Sequence, residues 1–175
     1  MQAAIGETIS AASGHSERPW SPPAREQAAS RKLAAIHEAG HVTVARALGF
    51  SASARIWPTV ANSNRERCWL GSASPELFRP RHIATGYQRR MVACAGAVAE
   101  SIYFNYGADA DGWFLDPDIM SPTDWDLAEC APGCPDNSLL RAIVRAGRLL
   151  DIDGPNWPKL MMVARRLIIE SRLAH

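Results

Sequence analysis

Apolar positions recur at helical spacing in four long stretches of this chain and at strand-like spacing in two short ones. In the first stretch Leu33, Ile36, His37, Gly40, His41, Val44 and Leu48 form one stripe, the signature of a helix with a buried face. Ser21-Pro22-Pro23 offers an N-cap followed by proline in the first turn, and Gly49 a C-terminal stop, so this helix is expected from Ala24 to about Leu48. Ala52 to Trp57 and Cys68 to Ser72 then read as two short strands, joined by a turn-rich, charged excursion from Pro58 to Arg67. Pro75 to Arg81 reads as a loop. From Ile83 to Tyr106 the helical period returns through Tyr87, Met91, Cys94, Ala95, Val98, Ile102 and Tyr103. Within it, Ala93 to Ala99 carries very small side chains. A glycine in a helix interior costs about 1 kcal/mol relative to alanine, so Gly96 is expected where this face packs closely against Gly40. A short helix opens at Ser121-Pro122-Thr123-Asp124 and is closed by Pro132 to Pro135. Two amphipathic helices follow, Asn137 to about Leu150 and Pro158 to Leu173, with Trp157 between them as a core anchor. No internal repeat is present.

Length and composition narrow the class. The 175 residues, 47% hydrophobic and 21% charged, suit one soluble globular domain with a real core. Residues 1–20 are small and polar without period and are expected to form a disordered N-terminal arm, leaving 21–175 as the domain. A net charge of +1 gives no electrostatic case for nucleic acid or an acidic membrane. The N-terminus lacks the basic and apolar regions of a signal peptide. No apolar run reaches the roughly 20 residues of a membrane span, so a cytoplasmic protein is expected. Of the four cysteines, Cys130 and Cys134 are closest, but their three-residue spacer fits neither a redox motif nor a metal clip. The acidic stretch from Gly107 to Asp118 lacks the glycine and carboxylate placement of an EF-hand.

Candidate chemistry concentrates in the first helix. His37-Glu38-Ala39-Gly40-His41 has the form H-E-x-x-H. Four residues along a helix are a rise of about 6 Å and slightly more than one turn, so both imidazoles leave one face and can converge on a single ion. Glu38 lies about 100° around the helix, on the flank of that face, where a carboxylate can act as general base on a water beside the metal. Two histidines leave a third protein ligand to be found. A histidine at position 47 and a glycine at 44, as in the metzincin pattern, are excluded by Ala47 and Val44. Glu100, His82, Asp124 and Asp126 stay open. Glu100 is alone among apolar neighbours, either as a buried partner of the site or as a helix-flank carboxylate. His82 sits in a basic loop, where a solvated histidine is expected. Asp124 also has the spacing of a capping box with Ser121.

Three blocks together resemble the peptidase domain of the FtsH-type zinc proteases: Ala35-Ile-His37-Glu38-Ala39-Gly40-His41 with Ala47-Leu48-Gly49, the small-residue segment Ala95-Gly96-Ala97-Val98-Ala99-Glu100-Ser101-Ile102, and Thr123-Asp124-Trp125-Asp126-Leu127. The resemblance covers roughly residues 31 to 131. It implies that the third ligand is an aspartate of the last block, Asp124 in preference to Asp126. No G-x-x-x-x-G-K-[ST] loop occurs in the sequence, so the expectation is a freestanding, ATP-independent domain.

These readings converge on a mostly helical α+β fold, zincin-like, with a small sheet beside the active-site helix. The expected function is a zinc metallopeptidase acting on peptides or unfolded proteins, with Zn2+ on His37, His41 and Asp124 and with Glu38 as base. An edge strand after the first helix could take extended substrate by adding a strand. A metal-stabilised binding module of the same fold without turnover is the alternative. Neither the substrate nor the oligomeric state follows from the sequence.

Overall fold

A computed structural model describes residues 24–59, 69–79, 82–105 and 120–173. The expected N-terminal arm, the Ser21-Pro22-Pro23 helix start, most of the Pro58 to Arg67 excursion, Cys68 and the acidic Gly107 to Asp118 stretch lie outside the described residues. Five helices and four strands occur among the described residues: α1 (Ala24–Ala47), β1 (Ala52–Pro58), β2 (Trp69–Pro75), β3 (Phe78–Arg79), β4 (His82–Ile83), α2 (Gly86–Asn105), α3 (Pro122–Ala128), α4 (Asn137–Leu149) and α5 (Trp157–Leu173). The architecture is mostly helical α+β.

Helix α1 is the centre. Every residue from 34 to 45 is buried, more than the single stripe expected from the apolar spacing. Alanines at 34, 35, 39 and 45 explain the difference, because small side chains let neighbours close on all sides of a helix. Those neighbours are α2, α5 and the β1–β2 hairpin, while α2 packs in turn against α3 and α4. Strands β1 and β2 are antiparallel, with Ile56 opposite Gly71 and Ala54 opposite Ala73. Trp69, Gly71 and Ala73 take the more buried face of β2, and Leu70, Ser72 and Ser74 the exposed one, as the two-residue period of a strand requires.

Boundaries shift in two places. The expected Pro75 to Arg81 loop contains β3, which pairs with β4 as Phe78 to Ile83 and Arg79 to His82. Accordingly α2 starts at Gly86 and not at Ile83. Its start is a capping box: the Thr85 N–H donates to Gln88 Oε1 at 2.9 Å, and the Gln88 N–H donates to Thr85 Oγ1 at 3.2 Å. Thr85 and Gln88 carry that spacing in the sequence. Helix α3 ends at Ala128, ahead of Pro132, because Glu129 turns into the left-handed conformation at φ 57°. Asp136 caps α4 by accepting from the Leu139 N–H at 2.7 Å. Trp157 is half-buried and packs on the core, as expected.

The contact of α1 with α2 is unusually close. A Cβ placed on Gly40 would lie 2.4 Å from the Ala95 carbonyl oxygen and 2.8 Å from the Ala99 Cβ. Backbone cannot swing aside as a side chain can. Gly40→Leu should therefore cost about 1–3 kcal/mol by overpacking, read as a lower midpoint in urea titration with unchanged m-value; an unchanged midpoint would show that the helices separate at no cost.

Candidate metal centre

Three elements bring the candidate residues together. His37 and His41 project from one face of α1, their rings 4.8 Å apart at 69°. Each ring is fixed through Nδ1 by α2. His41 Nδ1 lies 2.7 Å from the Val92 carbonyl oxygen, and His37 Nδ1 lies 2.7 Å from Glu100 Oε1. A carbonyl or an ionised carboxylate can only accept, so both Nδ1 atoms are donors, and Nε2 is the atom each ring presents to a metal once it is unprotonated. Acceptors behind Nδ1 orient metal-binding histidines in this way, with Nε2 turned toward the ion. Glu100 is 2% exposed, and of its two open roles the buried partner is the one observed.

The third group is Asp124. Its Oδ1 is 3.3 Å from His41 Nε2 and its Oδ2 is 3.4 Å from His37 Nε2. Each carboxylate oxygen thus faces one Nε2, close enough for the three side chains to share one ion. The same carboxylate closes the α3 capping box: Oδ2 accepts from the Ser121 N–H and hydroxyl at 2.9 Å each, and Ser121 Oγ accepts from the Asp124 N–H at 3.2 Å. The two readings of Asp124, cap and ligand, are thus compatible. A carboxylate has about four lone-pair sites, and the cap orients it toward the histidines. Asp126 is exposed on the opposite side of α3. His82 is exposed on β4 with its ring 4.4 Å from that of Phe50, away from the centre.

His37, His41 and Asp124 each offer one ligand atom, and these lie within 4.8 Å of one another. The surroundings leave room for an ion. A Cβ on Gly96 would sit 2.5 Å from Nε2 of both histidines. The Ala93–Ala99 face packs against Gly40 through Ala95 and Ala99, as expected, while Gly96 itself faces the imidazoles. The missing side chain keeps open the space that both lone pairs point into. This buried His-His-Asp group can hold a metal ion.

Electrostatics follow the same geometry. Burial pushes the His37 imidazolium down, but its bonds to Asp124 and Glu100 and their charges outweigh this and raise its pKa to about 9. Burial dominates at His41 and lowers it. Desolvation would raise Asp124, yet the His37 bond and the charges of both histidines hold it down at about 2.

Glu38 is 6% exposed and lines a cleft of about 310 Å3 with His37, His41 and Asp124. Strand β2 lines the same cleft through Leu70, Gly71, Ser72 and Ala73. Two contributors went unrecognised in the sequence, although each left a signal. Ser121 shows in the sequence only as a cap, and Gly71 is a glycine inside a strand, a position that often marks close approach. No family model matches the chain, and no curated protein matches it.

Two measurements test the centre. Asp124→Asn and Gly96→Ala should each weaken metal binding at least tenfold in chelator competition, while Asp126→Asn leaves it unchanged; the reverse pattern for the two aspartates would exchange their roles. In chelator, stability should be greatest near pH 6.5. Above that, folded His37 keeps a proton that the unfolded chain has lost, and its contribution disappears as pH rises through about 9. Below it, unfolded His41 takes up a proton that the buried ring resists. The limiting slope is about 1.4 kcal/mol per pH unit for each unmatched proton. Urea titrations from pH 5 to 9 that show a flat profile would remove the His37 ion pair.

Proposed function

We propose that this chain is a zinc-dependent endopeptidase, zincin-like in arrangement and related to the FtsH-type peptidases, working without nucleotide. One observation carries the reading: the Glu38 carboxyl opens into the same cleft as the three metal donors. A site that only stabilised the fold would have no use for a base there. Two imidazole nitrogens and one carboxylate oxygen suit Zn2+, and three protein ligands leave an open position, the mark of a catalytic site. The ion, when bound, supplies a Lewis acid that polarises a carbonyl and acidifies water.

The residues of the chain do the rest. Glu38 accepts a proton from the water that adds to the scissile carbonyl and passes it to the leaving amine as the C–N bond breaks. Glu100 and the Val92 carbonyl hold the two rings in the tautomer with Nε2 unprotonated. Strand β2 is paired on one side by β1, and among the described residues no strand pairs with its other side. Residues 69–73 of β2 line the cleft, so an extended peptide lying there can add to the strand. Apart from the site's own groups the described lining carries no charge, with Val92, Met120, Pro122 and Leu127 among its residues, which favours uncharged side chains around the cut.

Zinc content and turnover of an unfolded protein substrate, measured for the wild type and Glu38→Gln, test this directly. The variant should keep its zinc and its Tm while kcat falls about 10²–10⁴-fold, the worth of general base catalysis. Equal cleavage by the two proteins would refute the mechanism. Absence of cleavage by the zinc-loaded wild type would leave a metal-stabilised binding module.

A further inference from the structure

We propose that Gly71 of β2 is a positioning residue for Glu38: its missing side chain lets the strand close on α1 and hold the carboxylate at the cleft. The inference rests on the peptidase reading for its catalytic consequence, and on geometry alone for the contact.

A Cβ built on Gly71 would lie 2.3 Å from Glu38 Cγ, 2.7 Å from Cδ and 2.5 Å from Oε1. The Glu38 side chain therefore fills the volume that any other residue at 71 would occupy. Backbone conformation is not the reason for glycine, since the glycines with positive φ among the described residues are Gly49 and Gly133. Space is the reason. Strand position supports this. Gly71 shares its face with Trp69 and Ala73, and its cross-strand partner Ile56 is in the core. Strand interiors favour β-branched and aromatic residues, so a glycine there gives up sheet stability for the approach.

The approach matters for the base. A glutamate has three side-chain torsions and loses much rotamer freedom when fixed. Here α1 holds its root and the β2 backbone bounds Cγ, Cδ and Oε1, so that order is imposed before substrate arrives. The same strand is the one that takes the peptide in the peptidase reading. The base on α1 and the docking strand β2 thus meet at Gly71, where a peptide laid along β2 reaches Glu38.

The test uses Gly71→Ala in the full chain with two readouts. First, thermal unfolding is compared in the wild-type and Glu38→Gly backgrounds. Alanine at 71 should raise Tm by a few degrees where Glu38 is absent, through the loss of a flexible residue, and should fail to raise it where Glu38 is present. The same shift in both backgrounds overturns the contact, whatever the enzyme does. Second, with zinc content checked to be equal, Gly71→Ala should lower kcat at least tenfold while KM for the peptide changes less than twofold. A kcat equal to wild type, or a loss seen only in KM, overturns the positioning role. An inactive wild type would count against the peptidase reading and leave the thermal comparison to decide whether Gly71 holds Glu38.

Discussion

Close approach of α1 and α2 is the constraint on which the rest of this molecule depends. Two glycines, one on each helix, produce it. Gly40 lets the α2 backbone come against α1 at Ala95, and Gly96 brings the α2 backbone up to the Nε2 atoms of His37 and His41. With larger residues at either position the helices would part. Glu100 and the Val92 carbonyl would then leave hydrogen-bonding distance of the two rings. Interiors packed to crystalline density transmit such shifts directly.

That approach also makes the burial of so many polar groups tolerable. His37, Glu38, His41, Glu100 and Asp124 are all at or below 7% exposure. Isolated ionised groups in such a place are costly unless paired and hydrogen-bonded. Here the pairing comes from separate elements: Glu100 from α2 onto His37, the Val92 carbonyl onto His41, and the Ser121 cap of α3 onto Asp124. Each donor of the metal set is therefore oriented from behind. Asp124 combines two duties, since the capping box that begins a seven-residue helix also aims its carboxylate at the histidines.

The hairpin completes the arrangement from the other side. Strand β2 lines the same cleft as the three donors and lies against Glu38 through a residue without a side chain. Glycine recurs at the three tightest points of the site: helix on helix at Gly40, helix on imidazole at Gly96, and strand on carboxylate at Gly71. Each costs local stability, about 1 kcal/mol in a helix interior, and each buys proximity that no other residue allows.

Much of this was legible in the sequence. The spacing of His37 and His41 determines that both rings leave one face of a helix, because helical periodicity is a local property. The same holds for the helix itself, for the two strands after it, and for the small-residue face of α2. Other features were present as local signals but not decisive, such as the Thr85–Gln88 box that moves the start of α2 and the glycine inside β2. The choice among the acidic residues was different. Asp124 and Asp126 are two positions apart with similar local chemistry, and Glu100 lies 63 residues from its partner His37. Which carboxylate faces the histidines depends on how α3 and α2 pack on α1, and packing is decided by contacts between residues far apart in the chain. Local spacing therefore determined the two imidazoles and the adjacent Glu38, while only the tertiary structure decided which carboxylates complete the site, what Gly96 faces and what lies over Glu38.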